Sequence, residues 1–199
     1  GLKRRLASVG RGPMTFTEIP AGRGGQRRKE MTRRLLSTIL ILPGTALVLV
    51  PAIIFWAAAG TGYAGAWAGP GEGQLWAGVG SLAAGLLLAG WTLRLFATVG
   101  QGTPAPWDPP QKLVVRGPYR HVRNPMISSV LLMLAGEALL YQSWPLAAWG
   151  LLFFAANAAY FPLSEEKGLE RRFGGDYRTY KANVPRWFPR IRPWQLADE

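Results

Sequence analysis

Residues 75–96 decide the fold, and they read LWAGVGSLAAGLLLAGWTLRLF. The only charge in this stretch is Arg94, near its end, and a helix needs about 20 mostly apolar residues to cross a bilayer core. Small residues recur at every fourth position: Ala77, Ser81, Gly85 and Ala89. In lipid, such a face lets another helix backbone approach closely. The stretch therefore predicts a membrane-spanning helix that packs tightly against a neighbour.

Three further apolar stretches lie around it, at residues 35–59, 126–141 and 144–163. The stretch 126–141 is short and contains Glu137, so it is either a short span or half of a re-entrant hairpin. Residues 99–124 contain five prolines and cannot form a single helix. The sequence thus predicts an all-α integral membrane protein with about four transmembrane helices, a cytoplasmic connector and a C-terminal interfacial helix. The four-residue spacing of Leu169, Phe173 and Tyr177 predicts that helix on the membrane surface, with an interruption at Gly174–Gly175.

The distribution of charge sets the expected topology. The chain has 199 residues and a formal net charge of +12, which is typical of nucleic-acid binding proteins. Here the charges flank apolar spans, where the bilayer and its anionic headgroups are the expected partner, and no nucleic acid is expected. All 23 Lys and Arg lie in the segment 1–34, in or beside the connector, or in the tail 164–199, and the turns 60–74 and 142–143 have none.

Positive residues stay on the cytoplasmic side of a membrane. We therefore expect both termini and the connector to be cytoplasmic. The same pattern predicts a basic cytoplasmic arm over residues 1–34 and a single membrane domain over residues 35–199.

The residue inventory excludes several kinds of chemistry. The chain has no cysteine, which excludes disulfides, thiolate catalysis and cysteine-ligated metals. Its one histidine, His121, excludes a histidine-cluster metal site, so we expect no metal. Catalysis must therefore use carboxylates, Arg, Lys, Tyr, amides or the backbone.

Candidate site residues converge on the cytoplasmic side. A cationic run, residues 116–125 (RGPYRHVRNP), leads into the third span, and Glu165 and Glu166 directly follow the fourth. A short hairpin separates them, so both return to the same interface. Simpler interpretations exist, because juxtamembrane arginines anchor headgroups and carboxylates favour helix starts. Together, paired carboxylates facing Arg, His and Asn favour a functional site.

These residues resemble a known signature. Residues 116–119 (RGPY), 123–125 (RNP), Glu165-Glu166, Phe173-Gly174, Tyr177 and Tyr180-Lys181 are similar to the C-terminal signature of the isoprenylcysteine carboxyl methyltransferase and phospholipid methyltransferase families. Residues 100–110 resemble the lead-in of bacterial members. The resemblance spans roughly residues 75–190.

The resemblance implies an S-adenosylmethionine-dependent membrane methyltransferase, located in a bacterial inner membrane. The cofactor would be enclosed by the connector, the last two spans and the tail, and an amphiphilic or lipid acceptor would arrive from the bilayer. The implied catalytic residues are Arg123 and Glu165. The implied cofactor-binding residues are Tyr119, Arg120, His121, Asn124, Pro125, Ser128 and Glu166.

The sequence departs from the family pattern Arg-His-Pro-x-Tyr-x-Gly at three positions: the histidine is Asn124, the tyrosine is Ile127 and the glycine is Ser129. Asparagine can donate and accept hydrogen bonds but cannot carry a proton charge. Only His121 could supply a titrating imidazole near the site.

The acceptor and two other functions stay open at this point. A carboxylate acceptor needs only orientation by an arginine, whereas a protonated amine also needs a base such as Glu165 or His121. An NADPH-dependent reductase of a sterol or isoprenoid has a similar signature but usually more spans. A non-enzymatic lipid-binding bundle would accommodate the departures at 124 and 127.

Overall fold

The computed structural model describes Arg33, Ser37, Ile41 and residues 43–63, 65–101 and 109–195. Most of the arm 1–34, much of the start of the first span and residues 102–108 of the lead-in lie outside these ranges. The described residues form helices and loops, without any strand. The helices are α1 (Thr45–Ala58), α2 (Gly73–Gly100), α3 (Pro125–Leu140), α4 (Trp144–Tyr160) and α5 (Glu166–Asn183).

Two short turns complete these elements. A 3₁₀ turn, Gly117–Arg120, precedes α3, and a π-helical turn, Phe161–Glu165, joins α4 to α5 without a break. Proline stands in the first turn of both α3 and α4, where its missing N–H costs no hydrogen bond. The predicted spans 75–96, 126–141 and 144–163 are thus confirmed as helices, with bounds shifted by a few residues.

Helices α2 and α3 pack in close backbone contact. A Cβ added to Gly85 would lie 2.8 Å from the carbonyl oxygen of Ser129, and one added to Gly136 would lie 2.9 Å from that of Gly78. Ser81 Oγ donates to the carbonyl of Leu132 at 2.7 Å. The expected small-residue face is therefore the packing face, although Gly78 takes the place of the exposed Ala77.

The core between the helices is small and apolar. It is built from Ala46 of α1 and Val130, Met133 and Leu134 of α3, with Leu82 and Trp149 packed against it. Trp149 Nε1 also donates to the carbonyl of Ala46 at 3.0 Å, which fastens α1 to α4.

Large apolar side chains cover the outer surface of the bundle. Trp56 is 80% exposed, Leu87 75% and Leu151 71%. Two helices, Gly73–Gly100 and the continuous Trp144–Asn183, have the length and apolar composition to cross a membrane, and α1 and α3 are shorter apolar helices. An apolar surface of this extent is typical of helices embedded in lipid.

The C-terminal region closes over the connector. Helix α5 is kinked at Gly174, whose φ of 55° lies in the region that favours glycine, so the interruption expected at 174–175 is present. The apolar face assigned to the membrane surface, Leu169, Phe173 and Tyr177, lies in one cluster with Leu113 and Val115 of the connector. It therefore packs on protein.

Residues 184–195, here called the strap, run beside the segment 120–123. Their backbones exchange hydrogen bonds: Arg123 N to Pro185 O at 2.9 Å, Arg190 N to His121 O at 2.9 Å, and Trp194 N to Arg120 O at 3.0 Å. The strap thereby fixes the entrance to α3.

Candidate functional site

A cavity of about 330 Å³ lies where the connector, the start of α3, the π-helical turn and α5 meet. Small-molecule sites usually occupy about 300–1,000 Å³. Polar groups converge on a mostly aromatic and aliphatic wall, whose members include Phe96, Tyr119, Arg123, Asn124, Ile127, Glu165, Leu169 and Phe173. The cavity therefore has the composition expected of a binding site for a molecule with polar and aromatic parts.

Glu166 lies beneath the cavity at the centre of three cations. Arg123 Nη1 and Arg186 Nε each lie 2.7 Å from Oε1 of Glu166, and Lys181 Nζ lies 3.1 Å from Oε2. Burial alone would raise the pKa of Glu166, but hydrogen bonds from Arg186 and Lys181 and the charge of Arg123 outweigh burial and hold that pKa below 4.5. Glu166 is therefore an anion that positions Arg123.

Glu165 has the opposite environment. Glu165 is the last residue of the π-helical turn, and it lines the cavity. Part of its accessible surface therefore lies inside the cavity. Burial, with a smaller contribution from the charge of Glu166, raises the pKa of Glu165 to about 7. A carboxyl group with this pKa can take up or release a proton at neutral pH.

Two donors on the cavity wall lack a protein partner. Nε of Arg123 and Nδ2 of Asn124 are both buried and have no hydrogen-bond acceptor among the described residues. A buried donor without a partner costs about 1–3 kcal/mol, so such atoms at a cavity indicate a place where a ligand supplies the acceptor.

Three tyrosines brace the same region as neutral phenols. Tyr180 donates its hydroxyl hydrogen to the carbonyl of Tyr119 at 2.7 Å. Burial raises the pKa of Tyr119 and of Tyr180, and burial with the charge of Glu166 raises the pKa of Tyr177 to about 12. None of them is therefore ionised at neutral pH, and they shape the wall without adding charge.

The structure divides the predicted site residues into three groups. The first, which lines the cavity, comprises Tyr119, Arg123, Asn124 and Glu165. The second lines a separate groove on the other side of α3 and comprises Arg120, His121, Pro125 and Ser128. Glu166 forms the third, since it lines neither space and acts through its ion pairs. Their roles in binding and catalysis stay predictions.

Sequence reasoning did not find the part played by Arg186. It lies 63 positions after Arg123, in the strap, and reaches the same carboxylate oxygen. No periodicity or motif connects the two positions. The only available signal was the density of Arg and aromatic residues at 186–194.

Comparison with family models matches the chain to the phospholipid methyltransferase model over residues 74–176. This range is just over half of the chain, and it includes nearly all of α2, the whole of α3 and α4, both glutamates and most of the residues that line the cavity. The chain belongs to the phospholipid methyltransferase family. The resemblance drawn from the C-terminal signature is thereby confirmed. Comparison with curated proteins gave no match.

Membership in this family makes the protein a methyltransferase and supports its placement in a membrane. The family implies S-adenosylmethionine as the methyl donor. The cavity suits that cofactor, because it offers two unpaired donors for oxygen atoms, a carboxyl group for a cationic centre, and aromatic rings for a flat base.

Proposed function

We propose that the protein transfers the methyl group of S-adenosylmethionine to a lipid-like acceptor at the cytoplasmic face of a membrane. The observation that carries this proposal is the cavity wall on which the unpaired Arg123 Nε and Asn124 Nδ2 accompany Glu165. The cavity lies next to the first turn of α3 and the end of α4. An acceptor held in the bilayer and a cofactor from the cytosol can both reach such a position.

The cofactor, when bound, supplies a methyl group on a sulfonium centre. Arg123 and Asn124 would donate to its oxygen atoms, Glu165 would lie near positive charge, and Phe96, Tyr119 and Phe173 would contact its adenine ring. Most of the rate acceleration in such a site comes from positioning and from exclusion of water. The apolar wall residues Ile127 and Leu169 support that exclusion.

We further propose that the acceptor atom is an amine nitrogen. Arg123 already uses Nη1 to pair with the buried Glu166, so a two-pronged contact with an acceptor carboxylate through both terminal nitrogens is not open to it. Its unpaired Nε is the donor assigned above to the cofactor. Glu165, with a pKa of about 7, can instead accept the proton of an ammonium group, which leaves the nitrogen lone pair available for the methyl carbon. The proton then leaves Glu165 to solvent.

The proposed topology has four spans, α1, α2, α3 and α4, with both termini in the cytoplasm. It is supported by the absence of Lys and Arg from the turns 60–74 and 142–143. The strap and α5 then lie on the cytoplasmic side with the cavity.

The test is methyl transfer from labelled S-adenosylmethionine to phosphatidylethanolamine and, separately, to a prenylated carboxylate, with purified protein in detergent. We expect the amine lipid to be methylated and Glu165→Gln to lower that turnover by about 10²–10⁴-fold. Glu170→Gln is the matched control, since Glu170 has a partly exposed side chain on α5, does not line the cavity and pairs with Arg178 instead of with the cations around Glu166. Near-normal turnover of Glu165→Gln would refute the base.

The pH dependence gives a second check. Only the carboxylate form of Glu165 can accept a proton, so kcat/KM with the amine should rise with pH and level off above a midpoint near 7. A value of kcat/KM that does not change between about pH 5.5 and about pH 8.5 would contradict the role of Glu165.

Thermal shift measurements with S-adenosylhomocysteine and with NADPH separate methyl transfer from reduction. Stabilisation by NADPH alone would refute the methyltransferase proposal.

A further inference from the structure

A second space, of about 800 Å³, lies on the opposite side of α3 from the cavity. This groove is bounded by α2, α3, α4 and the strap, and it shares no lining residue with the cavity. Trp91 closes one side by packing its ring on Gly117, where an added Cβ would lie 2.9 Å from the ring. The groove is therefore a separate feature of the structure, independent of the methyl-transfer site.

The groove is polar at one end and apolar along its length. Arg120 and His121 lie at the end where α3 begins, whereas Leu88, Leu131, Leu132 and Phe154 form the walls beyond them. From Pro125 to Leu132 the groove follows α3 for about 10 Å, at 1.5 Å per residue. The positive end of the α3 dipole lies at the same polar end. Among the described residues, no Asp or Glu lines the groove.

The two polar residues keep hydrogen-bonding capacity for a ligand. Arg120 donates Nε to the carbonyl of Trp194 at 2.9 Å, which uses one of its five N–H groups. His121 Nδ1 donates to the carbonyl of Arg190 at 2.8 Å, because a carbonyl only accepts, and in the neutral ring this leaves Nε2 as an acceptor for a hydroxyl group of a ligand. Both contacts also orient the two side chains through the strap.

We infer that this groove binds an anionic phospholipid of the surrounding bilayer, with its phosphate against Arg120, a hydroxyl of its headgroup against His121 and an acyl chain along Leu131 and Leu132. Charge complementarity identifies the occupant: an end that carries Arg120 and no acidic side chain among its described lining selects an anionic headgroup, and apolar walls select a hydrocarbon chain. The exposed side chains of Phe188, which lines the groove, and of Ile191, nearby in the strap, suit insertion into the same lipid layer.

This lipid is a bound partner distinct from the methyl acceptor. Phosphatidylglycerol is the appropriate probe, because it is anionic and has neither an amine nor a carboxylate that could be methylated. Its binding therefore succeeds or fails independently of the proposed reaction.

The experiment is native mass spectrometry of the purified full chain with phosphatidylglycerol or phosphatidylcholine. We expect one retained phosphatidylglycerol per chain and weaker retention of phosphatidylcholine. Leu131→Trp fills the groove and should abolish retention. Leu151→Trp is the matched control, because Leu151 is 71% exposed on α4 and lines neither space. Equal retention in the two variants would overturn the inference.

The charge contribution has its own pair of variants. Arg120→Gln should weaken phosphatidylglycerol binding about fivefold, as expected for one interfacial cation, and leave phosphatidylcholine unchanged. Arg178→Gln, an exposed position on α5, should change neither. Arg120→Gln also removes the hydrogen bond from Arg120 to Trp194 of the strap. Leu131→Trp keeps that hydrogen bond, so a loss of lipid in Leu131→Trp cannot be due to a displaced strap contact. Equal affinity for the two lipids would overturn the inference. It would also be overturned if the wild-type protein were a dimer without bound lipid and Leu131→Trp dissociated it, because a second copy of the chain would then occupy the groove.

Discussion

Replacing Glu166 with Gln removes an anion that is in contact with three cations. Glu166 is 3% exposed, and its oxygen atoms lie 2.7, 2.7 and 3.1 Å from nitrogens of Arg123, Arg186 and Lys181. The glutamine keeps the size of the side chain but leaves Arg123, whose side chain is 10% exposed, without a counter-charge. The variant is therefore expected to lose stability and the orientation of Arg123 together.

The magnitude follows from burial. At a charge separation of 4 Å and an effective dielectric constant of 20, one ion pair is worth about 4 kcal/mol before desolvation is subtracted. Removing one partner of a buried pair destabilises proteins by about 3–5 kcal/mol. For a chain of 150–250 residues, 1 kcal/mol moves Tm by about 2–4 °C. We expect Tm of Glu166→Gln to fall by at least about 6 °C.

The assay is thermal unfolding of both proteins in the same detergent at pH 8. A carboxyl group whose folded pKa lies below 4.5 contributes stability above 4.5 and loses it as pH falls through the folded pKa, so pH 8 reports the full effect. Glu170→Gln is the control, because its pair with Arg178 is exposed and 4.0 Å apart. A Tm for Glu166→Gln within about 2 °C of the wild type would refute the reasoning.

Two further predictions test the packing and the topology. Gly85→Ala should lower Tm, because the added Cβ would meet the backbone of Ser129 at 2.8 Å and overpacking a core costs about 1–3 kcal/mol. Gly80→Ala is the control and should leave Tm unchanged, because its added Cβ would have nothing within 4 Å. Equal Tm values for the two variants would contradict the close α2–α3 contact. The chain has no native cysteine, so a single introduced cysteine can be labelled selectively with an impermeant thiol reagent. Gly71→Cys should react only from the non-cytoplasmic side, and Gly175→Cys only from the cytoplasmic side. Labelling of Gly71→Cys from the cytoplasm would overturn the proposed topology.

The helical parts of the fold could be predicted because their signals are local. Apolar length located α2, α3 and α4, and the pair Gly174-Gly175 located the kink in α5. The convergence of residues 116–125 on Glu165 also followed from local information. Two spans joined by a short turn must return to the same interface.

The division of labour within the site depends on contacts that are distant in sequence. Glu165 and Glu166 look equivalent in the sequence, yet neighbouring helical residues point about 100° apart. One therefore faces the cavity and the other faces Arg186 and Lys181. Likewise Tyr119 and Arg120 are adjacent but line different spaces. A single sequence carries no signal for the pairing of position 123 with position 186.

The two glutamates are also coupled energetically, which gives their adjacency a chemical consequence. The charge of Glu166 contributes to the raised pKa of Glu165, and the three cations around Glu166 are masked by that same charge. Removing the charge of Glu166 ends its repulsion of the Glu165 carboxylate and leaves the three cations without its neutralising charge. Both changes favour the ionised form of Glu165. In the Glu166→Gln variant the activity midpoint with an amine acceptor should therefore move below 7. An unmoved midpoint, measured on the folded fraction, would show that burial alone sets the pKa of Glu165 and that Glu166 serves only to hold Arg123.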